Sequence, residues 1–244
     1  MVWSDNVESD SMEVKALFSE RYGVTDACFE LLITHLRMVL EANKTTNITG
    51  IKDYSQAIYL HIYDSLLGLS QLEAASEGLF ADIGSGAGYP GIPLSVCCNR
   101  AGVLIESLKK KALILEGMVS KLGLAESLTV MARRSEQEAA ENPGAYTAVV
   151  VRAVGSLSTI MELACPLLCT DGILIAYKGP EWKVEMELAE KTGDLLGMQI
   201  SEVEEHAIPV VEAKRFIIAV KKTGIPQIDL PRRPGQAQRK PLFS

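Results

Sequence analysis

The residues with the most chemical potential sit in one short loop. Leu79-Phe80-Ala81-Asp82-Ile83 runs into Gly84-Ser85-Gly86-Ala87-Gly88-Tyr89-Pro90-Gly91. Four glycines in eight residues let a backbone turn sharply and approach a ligand closely. A helix that follows such a loop presents its N-terminus to that ligand. Two patterns overlap here. Gly86-x-Gly88-x-x-Gly91 matches the dinucleotide fingerprint, a weak signal when it stands alone. Asp82-Ile83-Gly84-Ser85-Gly86-Ala87-Gly88 matches an acid just ahead of G-x-G-x-G.

Placement separates the two patterns. The dinucleotide fingerprint begins as its strand ends, whereas here it would begin two residues late. Pro90 and Pro93 would then fall where a pyrophosphate needs helix N–H donors, which proline lacks. The acid-plus-glycine form suits S-adenosylmethionine, a sulfonium cofactor with no phosphate to cradle. Asp82 would add negative potential near the positively charged methionine part. Gly84, Gly86 and Gly88 form the cradle. Glu106 closes the next apolar run, 22 residues past Gly84, where a carboxylate can accept both ribose hydroxyls. Glu106 supports a ribose but does not choose between NAD and S-adenosylmethionine.

These residues need a scaffold of alternating strands and helices. Apolar runs at 79–83, 103–106, 128–131, 148–152 and 173–177 read as strands, with helices at 107–122 (capped by Ser107 and closed by Gly123), 157–169 and 182–196. Three consecutive valines, Val149 to Val151, suit a strand buried on both faces. The predicted fold is α/β, a doubly wound, mostly parallel, seven-stranded Rossmann-like sheet with an N-terminal helical extension. Strands near 199–205 and 216–220 are joined by a short connection, so they are expected to pair antiparallel at one edge. The expected organisation is a frayed N-terminus over 1–12, a helical extension over 13–72, the catalytic domain over 73–225 and a basic arm over 226–244.

The extension predicts helices around 31–40 and 55–69, separated by the turn Asn43-Lys44-Thr45-Thr46-Asn47. His61 and Asp64 lie one turn apart on a helical face, suited either to packing the extension on the sheet or to contacting substrate. Arg152 and Lys178 end adjacent strands and face the same crevice.

Hydrophobic residues make up 48 % of the 244, enough for a packed core. No apolar run reaches the length of a membrane span, and the acidic N-terminus is no signal peptide, so a cytoplasmic location and no membrane partner are expected. Five cysteines without a C-x-x-C read as reduced, buried thiols, with Cys165 and Cys169 on the helix at 157–169 and no metal. The net charge of −7 conceals a sorted distribution. Lys214 to Ser244 holds eight basic residues against one acid, Asp229. Such a segment is a phosphate footprint, and its prolines suit an arm laid along RNA. Its expected contacts are Arg232, Arg233, Arg239 and Lys240.

Taken together the motifs resemble one family. Asp82-Ile-Gly-Ser-Gly-Ala-Gly-Tyr-Pro-Gly-Ile-Pro-Leu94 is similar to the signature of the small-subunit ribosomal RNA methyltransferase G family, also called glucose-inhibited division protein B. Most members have phenylalanine or leucine in place of Tyr89. Asn43 to Thr49, His61-Ile-Tyr-Asp64-Ser-Leu66, Arg134-Ser135-Glu136, Arg152-Ala-Val, Lys178-Gly179 and Pro231-Arg-Arg-Pro-Gly235 through Leu242 follow in the family's order. Leu60 and Phe216 depart from its usual arginine and histidine. The resemblance implies methyl transfer from S-adenosylmethionine to N7 of one guanine in 16S rRNA, free or in the small ribosomal subunit; a monomer is expected. It further places Gly84, Tyr89, Ser135, Glu136 and Arg152 on cofactor-contacting positions.

Guanine N7 carries an exposed lone pair and no proton, so its methylation needs positioning rather than a general base. Arg152 and Lys178, with His61 and Asp64, are the expected catalytic group, since arginine reads the guanine edge well. Two other readings remain: an NAD-dependent oxidoreductase, for which no proton donor is evident, and a non-catalytic RNA-binding protein on the same scaffold, which predicts a degraded loop.

Overall fold

A computed structural model of the chain describes residues 6–209, 211 and 213–243. Helices α1 (Asn6–Tyr22) and α2 (Asp26–Asn43) come first. A continuous helical segment follows, made of α3 (Tyr54–Ala57), a π-helical turn (Ile58–Tyr63) and α4 (Asp64–Leu66), and then α5 (Leu69–Ala74). Strands and helices then alternate: β1 (Phe80–Ile83), α6 (Gly91–Cys98), β2 (Gly102–Ile105), α7 (Lys109–Lys121), β3 (Leu128–Met131), α8 (Ser135–Glu141), β4 (Tyr146–Arg152), α9 (Leu157–Ala164), β5 (Leu168–Lys178) and α10 (Trp182–Leu196). The chain closes with β6 (Met198–Ile208), β7 (Ala213–Lys222) and a short α11 (Gln236–Arg239).

The seven strands lie in the order β3-β2-β1-β4-β5-β7-β6. The first five are parallel, and β7 runs antiparallel between β5 and β6. β1 pairs with β2 on one side and β4 on the other, so the strand order reverses at β1. The crevice beyond the carboxyl ends of strands at such a reversal is where open α/β sheets bind ligands.

The sheet separates two apolar layers. Ala148 and Val150 of β4 face a core shared with α2, the π-turn, α6 and α7. Val149 and Val151 face the other, built with α9 and α10. The period-two alternation of a strand buried on both sides explains the unbroken valine run. The N-terminal helices therefore form one layer of the sandwich, with Leu32, Leu36, Ile62 and Leu66 fully buried.

Several local expectations change. α1 begins at Asn6, inside the stretch read as frayed, and residues 1–5 lie outside the described residues. The helix from 157 stops at Ala164 because Pro166 cannot continue it. The chain enters β5 at Leu168, so Cys169 lies on a strand while Cys165 is buried at the helix end. Asp171-Gly172 is an irregularity within β5, where the pairing to β4 shifts register, and not the turn before it. Leu108, not Ser107, occupies the cap of α7, and its N–H donates to Glu106.

Candidate active site at the carboxyl end of the sheet

The glycine loop is tied to its neighbours by backbone bonds. Gly84 N–H donates to Ile105 O at 2.8 Å, anchoring the loop on β2. Gly84 has φ +73°, and a Cβ there would lie 2.8 Å from Val154 Cγ2. A side chain therefore has neither the conformation nor the room. The Glu106 carboxylate accepts Gly86 N–H at 3.1 Å and Leu108 N–H at 2.7 Å, fixing the loop from below.

Asp82 is fully buried. Its Oδ2 accepts Gly91 N–H at 2.9 Å, pinning the start of α6, while Oδ1 has no partner among the described residues. Burial pushes its carboxyl up to about 7, only partly opposed by the Gly91 bond. Asp82 thus orders the loop from within the core and does not stand as a free charge facing solvent.

An aromatic stack holds the far side of the loop. Tyr89 lies between His61, stacked with ring centres 4.5 Å apart and planes 4° apart, and His35, tilted at 4.6 Å. His35 Nε2–H donates to Ala87 O at 2.8 Å, so α2 grips the loop backbone directly. His61 Nε2 shares a hydrogen bond with Thr49 Oγ1 at 2.8 Å, and Asn43 Oδ1 shapes that turn by accepting the N–H groups of Ile48 and Thr49. Burial lowers His35 to about 4 and His61 to about 3, the latter helped by the Arg152 charge. Both rings are neutral at neutral pH. The Tyr89 hydroxyl is buried without a partner among the described residues.

Beyond the stack lies a cavity of about 350 Å³, lined among others by His61, Asp64, Arg152, Tyr177, Lys178 and Arg215. Asp64 is its centre of charge, with a fully buried side chain. Arg152 Nη1 donates to Asp64 Oδ2 at 2.9 Å and to Leu60 O at 3.1 Å, while its guanidinium lies over the Tyr89 ring. Arg215 donates to the other edge of the same carboxylate. Lys178 Nζ donates to Gly155 O and to Glu185, whose second oxygen accepts Leu157 N–H at the start of α9. The π-turn makes this arrangement possible. It inserts an extra residue per turn, so the His61 ring faces the stack while the Asp64 carboxylate faces the arginines, the two residues being joined only through the Asp64 N–H to His61 O backbone bond among the described residues. Ala153, next to Arg152, has φ +60°, an uncommon conformation that clusters at functional sites.

A second, narrower cleft opens on the other side of Gly84. It is lined by Ile83, Ile105, Ser107, Arg134, Ser135, Glu136 and Val154, with Gln238 from the C-terminal arm. Ser135 starts α8, and its hydroxyl donates to Glu136 Oε2 at 3.3 Å.

A family model described as rRNA small subunit methyltransferase G matches residues 29–217. The chain belongs to that family. A "Ribosomal RNA small subunit methyltransferase G" of Pelotomaculum thermopropionicum is 32 % identical over 209 residues, covering 84 % of this chain and 87 % of that protein. One from Alkaliphilus metalliredigens is 30 % identical, covering 91 % of this chain and 93 % of that protein. The fold is shared with M. jannaschii TYW2 solved with AdoMet, at TM-score 0.51 and 13 % identity, over 65 % of this chain and 75 % of that one. It is shared too with a geranyl diphosphate methyltransferase solved with SAM, at TM-score 0.51 and 9 % identity, over 66 % of this chain and 85 % of that one.

In this methyltransferase the expected site residues do not form one group. Gly84, Ser135 and Glu136 line the narrow cleft. Gly86 and Glu106 bond to each other in the loop beside it, and Gly88 packs against Ile92, Leu115 and His35. His61, Asp64, Arg152 and Lys178 line the wide cavity, with Tyr89 stacked on His61 under the Arg152 guanidinium. Arg232 leaves the expected RNA-facing set. It forms a two-pronged pair with the buried Glu162, Nε to Oε1 at 2.8 Å and Nη2 to Oε2 at 2.5 Å. Arg233, Arg239 and Lys240 remain exposed. The arm itself folds back on the domain, with Ala237 buried and Leu230 and Leu242 packed on the core. Arg215 was not among the expected site residues. Its only sequence signal is a cation on an apolar strand, Phe216 to Val220 following it without a charge. Among the described residues no group of His, Cys, Asp or Glu could hold a metal, and no helix is long and apolar enough to cross a membrane.

Proposed function

We propose that the protein methylates N7 of one guanine in 16S rRNA, as a cytoplasmic monomer, with S-adenosylmethionine as cofactor. The residues present fit that cofactor. The cradle at Gly84 would be filled by any Cβ, and the rim beside it offers the polar groups of Ser107, Arg134, Ser135 and Glu136. When bound, S-adenosylmethionine supplies an electrophilic methyl on sulfur.

The observation that carries the reading is that the two proton acceptors expected at the wide cavity, His61 and Asp64, are both committed to other tasks. His61 is held neutral, with a proton affinity far below neutral pH. Asp64 has both carboxylate oxygens taken by guanidinium groups. A general base works best with its pKa near the operating pH, which burial denies to His61, and the Asp64 oxygens are already engaged by Arg152 and Arg215. An exocyclic amine would need one; N7 does not. Arg152 and Lys178 present cations at the cavity wall, suited to the guanine O6 or an adjacent phosphate. Asp64 and His61 are positioning residues, the first orienting Arg152 and the second backing Tyr89. Arg233, Arg239 and Lys240 are assigned to RNA phosphates.

Calorimetry with S-adenosylmethionine, run beside NAD and repeated with Gly84→Asp, tests the reading. Binding of S-adenosylmethionine alone, lost in the variant, is expected, followed by N7-methylguanine in treated 16S rRNA. NAD binding, or no S-adenosylmethionine binding even with 16S rRNA present, would overturn it.

A further inference from the structure

The narrow cleft has an unexpected wall. The C-terminal arm crosses it, and two polar contacts hold the arm there. Gly235 N–H donates to Glu136 Oε1 at 2.6 Å in a buried bond. Gly235 has φ +75°, so the turn that delivers this N–H suits glycine. Arg232 clamps Glu162 of α9 and also donates to Lys240 O at 3.0 Å, bracing the arm internally. Gln238 then projects into the cleft beside Gly84, Ser135 and Glu136.

With the arm in this position the cleft measures about 70 Å³. Small-molecule sites run from roughly 300 Å³ upward, so a nucleoside seated here would shift part of the lining outward. β1, β2 and β4 are buried sheet, and Ser135 and Glu136 sit on a helix. The arm is held by two side-chain contacts and by the apolar packing of Ala237, Leu230 and Leu242.

We propose that the arm is the outer wall of the cofactor cleft and controls cofactor exchange, with Gln238 as a cofactor-contacting residue. Its side-chain amide offers both a donor and an acceptor, the pair that an adenine edge requires. Glu136, which accepts the arm's Gly235 N–H, is also the carboxylate that a cofactor in the cleft would meet, so the arm and the cofactor would compete for it. The same arm carries Arg233, Arg239 and Lys240. Arg239 and Arg134 converge at Gly235, where a Cβ would lie 3.5 Å from Arg239 Nη2 and 3.8 Å from Arg134 Nη1. Polyanion laid across these cations would hold the arm closed, so RNA slows cofactor release. This inference rests on the cofactor assignment above.

Stopped-flow binding of S-adenosylmethionine to the full chain separates the two. Wild type, Arg232→Ala, Gln238→Ala and Gln238→Trp are compared. Releasing the clamp with Arg232→Ala is expected to speed both association and dissociation about tenfold. Gln238→Trp, a change at an exposed position that folding tolerates, is expected to weaken binding about tenfold by filling the cleft, and Gln238→Ala to weaken it less. Should Arg232→Ala fail to fold, the Gln238 pair decides. Wild-type rates and affinity in Gln238→Trp, while wild type binds normally, would overturn the arm's role. No binding by wild type would instead overturn the cofactor assignment.

Discussion

Arg215 closes on Asp64 from 151 residues away with two bonds, Nε to Oδ1 at 2.6 Å and Nη2 to Oδ2 at 3.1 Å. Arg152 occupies the same carboxylate from β4. One acid from the helical layer thus balances two cations from the sheet. Replacing Asp64 by Asn leaves both guanidinium groups uncompensated in a half-buried site. The expected loss is about 3 kcal/mol of unfolding free energy in urea titration. A loss below about 1 kcal/mol would show that the pair is solvated and contributes little.

Tyr89 buries a hydroxyl that no group among the described residues satisfies. Tyr89→Phe keeps the stack with His61 and His35 and removes the orphan. It is expected to stabilise the protein by about 1 kcal/mol and to leave methyl transfer intact. Tyr89→Ala opens the stack and is expected to cost about 3 kcal/mol. Thermal unfolding and a methylation assay read both effects; lower activity in the phenylalanine variant would mean that the hydroxyl contacts a ligand.

The buried histidines and Asp82 drive pH dependence in opposite directions. His35 and His61 are lowered to about 4 and 3. Their contribution to stability is complete above about pH 6.5 and is lost as pH falls toward 4, at up to about 1.4 kcal/mol per pH unit for each ring. Asp82 is raised to about 7. Its contribution is complete below about pH 4 and is lost as pH rises through 7. Asp82→Asn removes only the second trend. The variant is therefore expected to gain on wild type between pH 5 and pH 8 in urea unfolding. A stability difference independent of pH would refute the assignment.

Arg152→Lys keeps the charge but loses the fork that reaches Asp64, Leu60 O and the Tyr89 face together. Methyl transfer is expected to fall on the order of a hundredfold, with S-adenosylmethionine affinity falling less than tenfold. Equal losses in both would make Arg152 a cofactor ligand alone.

The strands of the parallel sheet were legible because each is a short apolar run ending at a turn signal, and β1 with its glycine loop was read almost to the residue. The antiparallel edge was legible from its short connection. What local pattern does not encode was missed. The π-turn has no composition cue, since Ile58 to Tyr63 reads as ordinary helix. The run Cys165 to Cys169 is equally apolar as helix or strand, and only pairing with Tyr146 draws Leu168 into β5. Arg215 and Glu162 acquire their meaning from partners 151 and 70 residues away. The arm's cations looked alike in sequence, whereas in space Arg232 turns inward to a buried acid.

β7 lies between β5 and β6 although it is made after both. Until Ala213 to Lys222 emerge from the ribosome, β6 has no strand to pair with and β5 keeps one edge bare. Arg215 arrives on that same late strand, so the buried charge cluster is completed together with the sheet. A nascent chain halted before β7 would carry an open edge and an unbalanced acid, both marks by which quality control can tell an unfinished copy from a finished one.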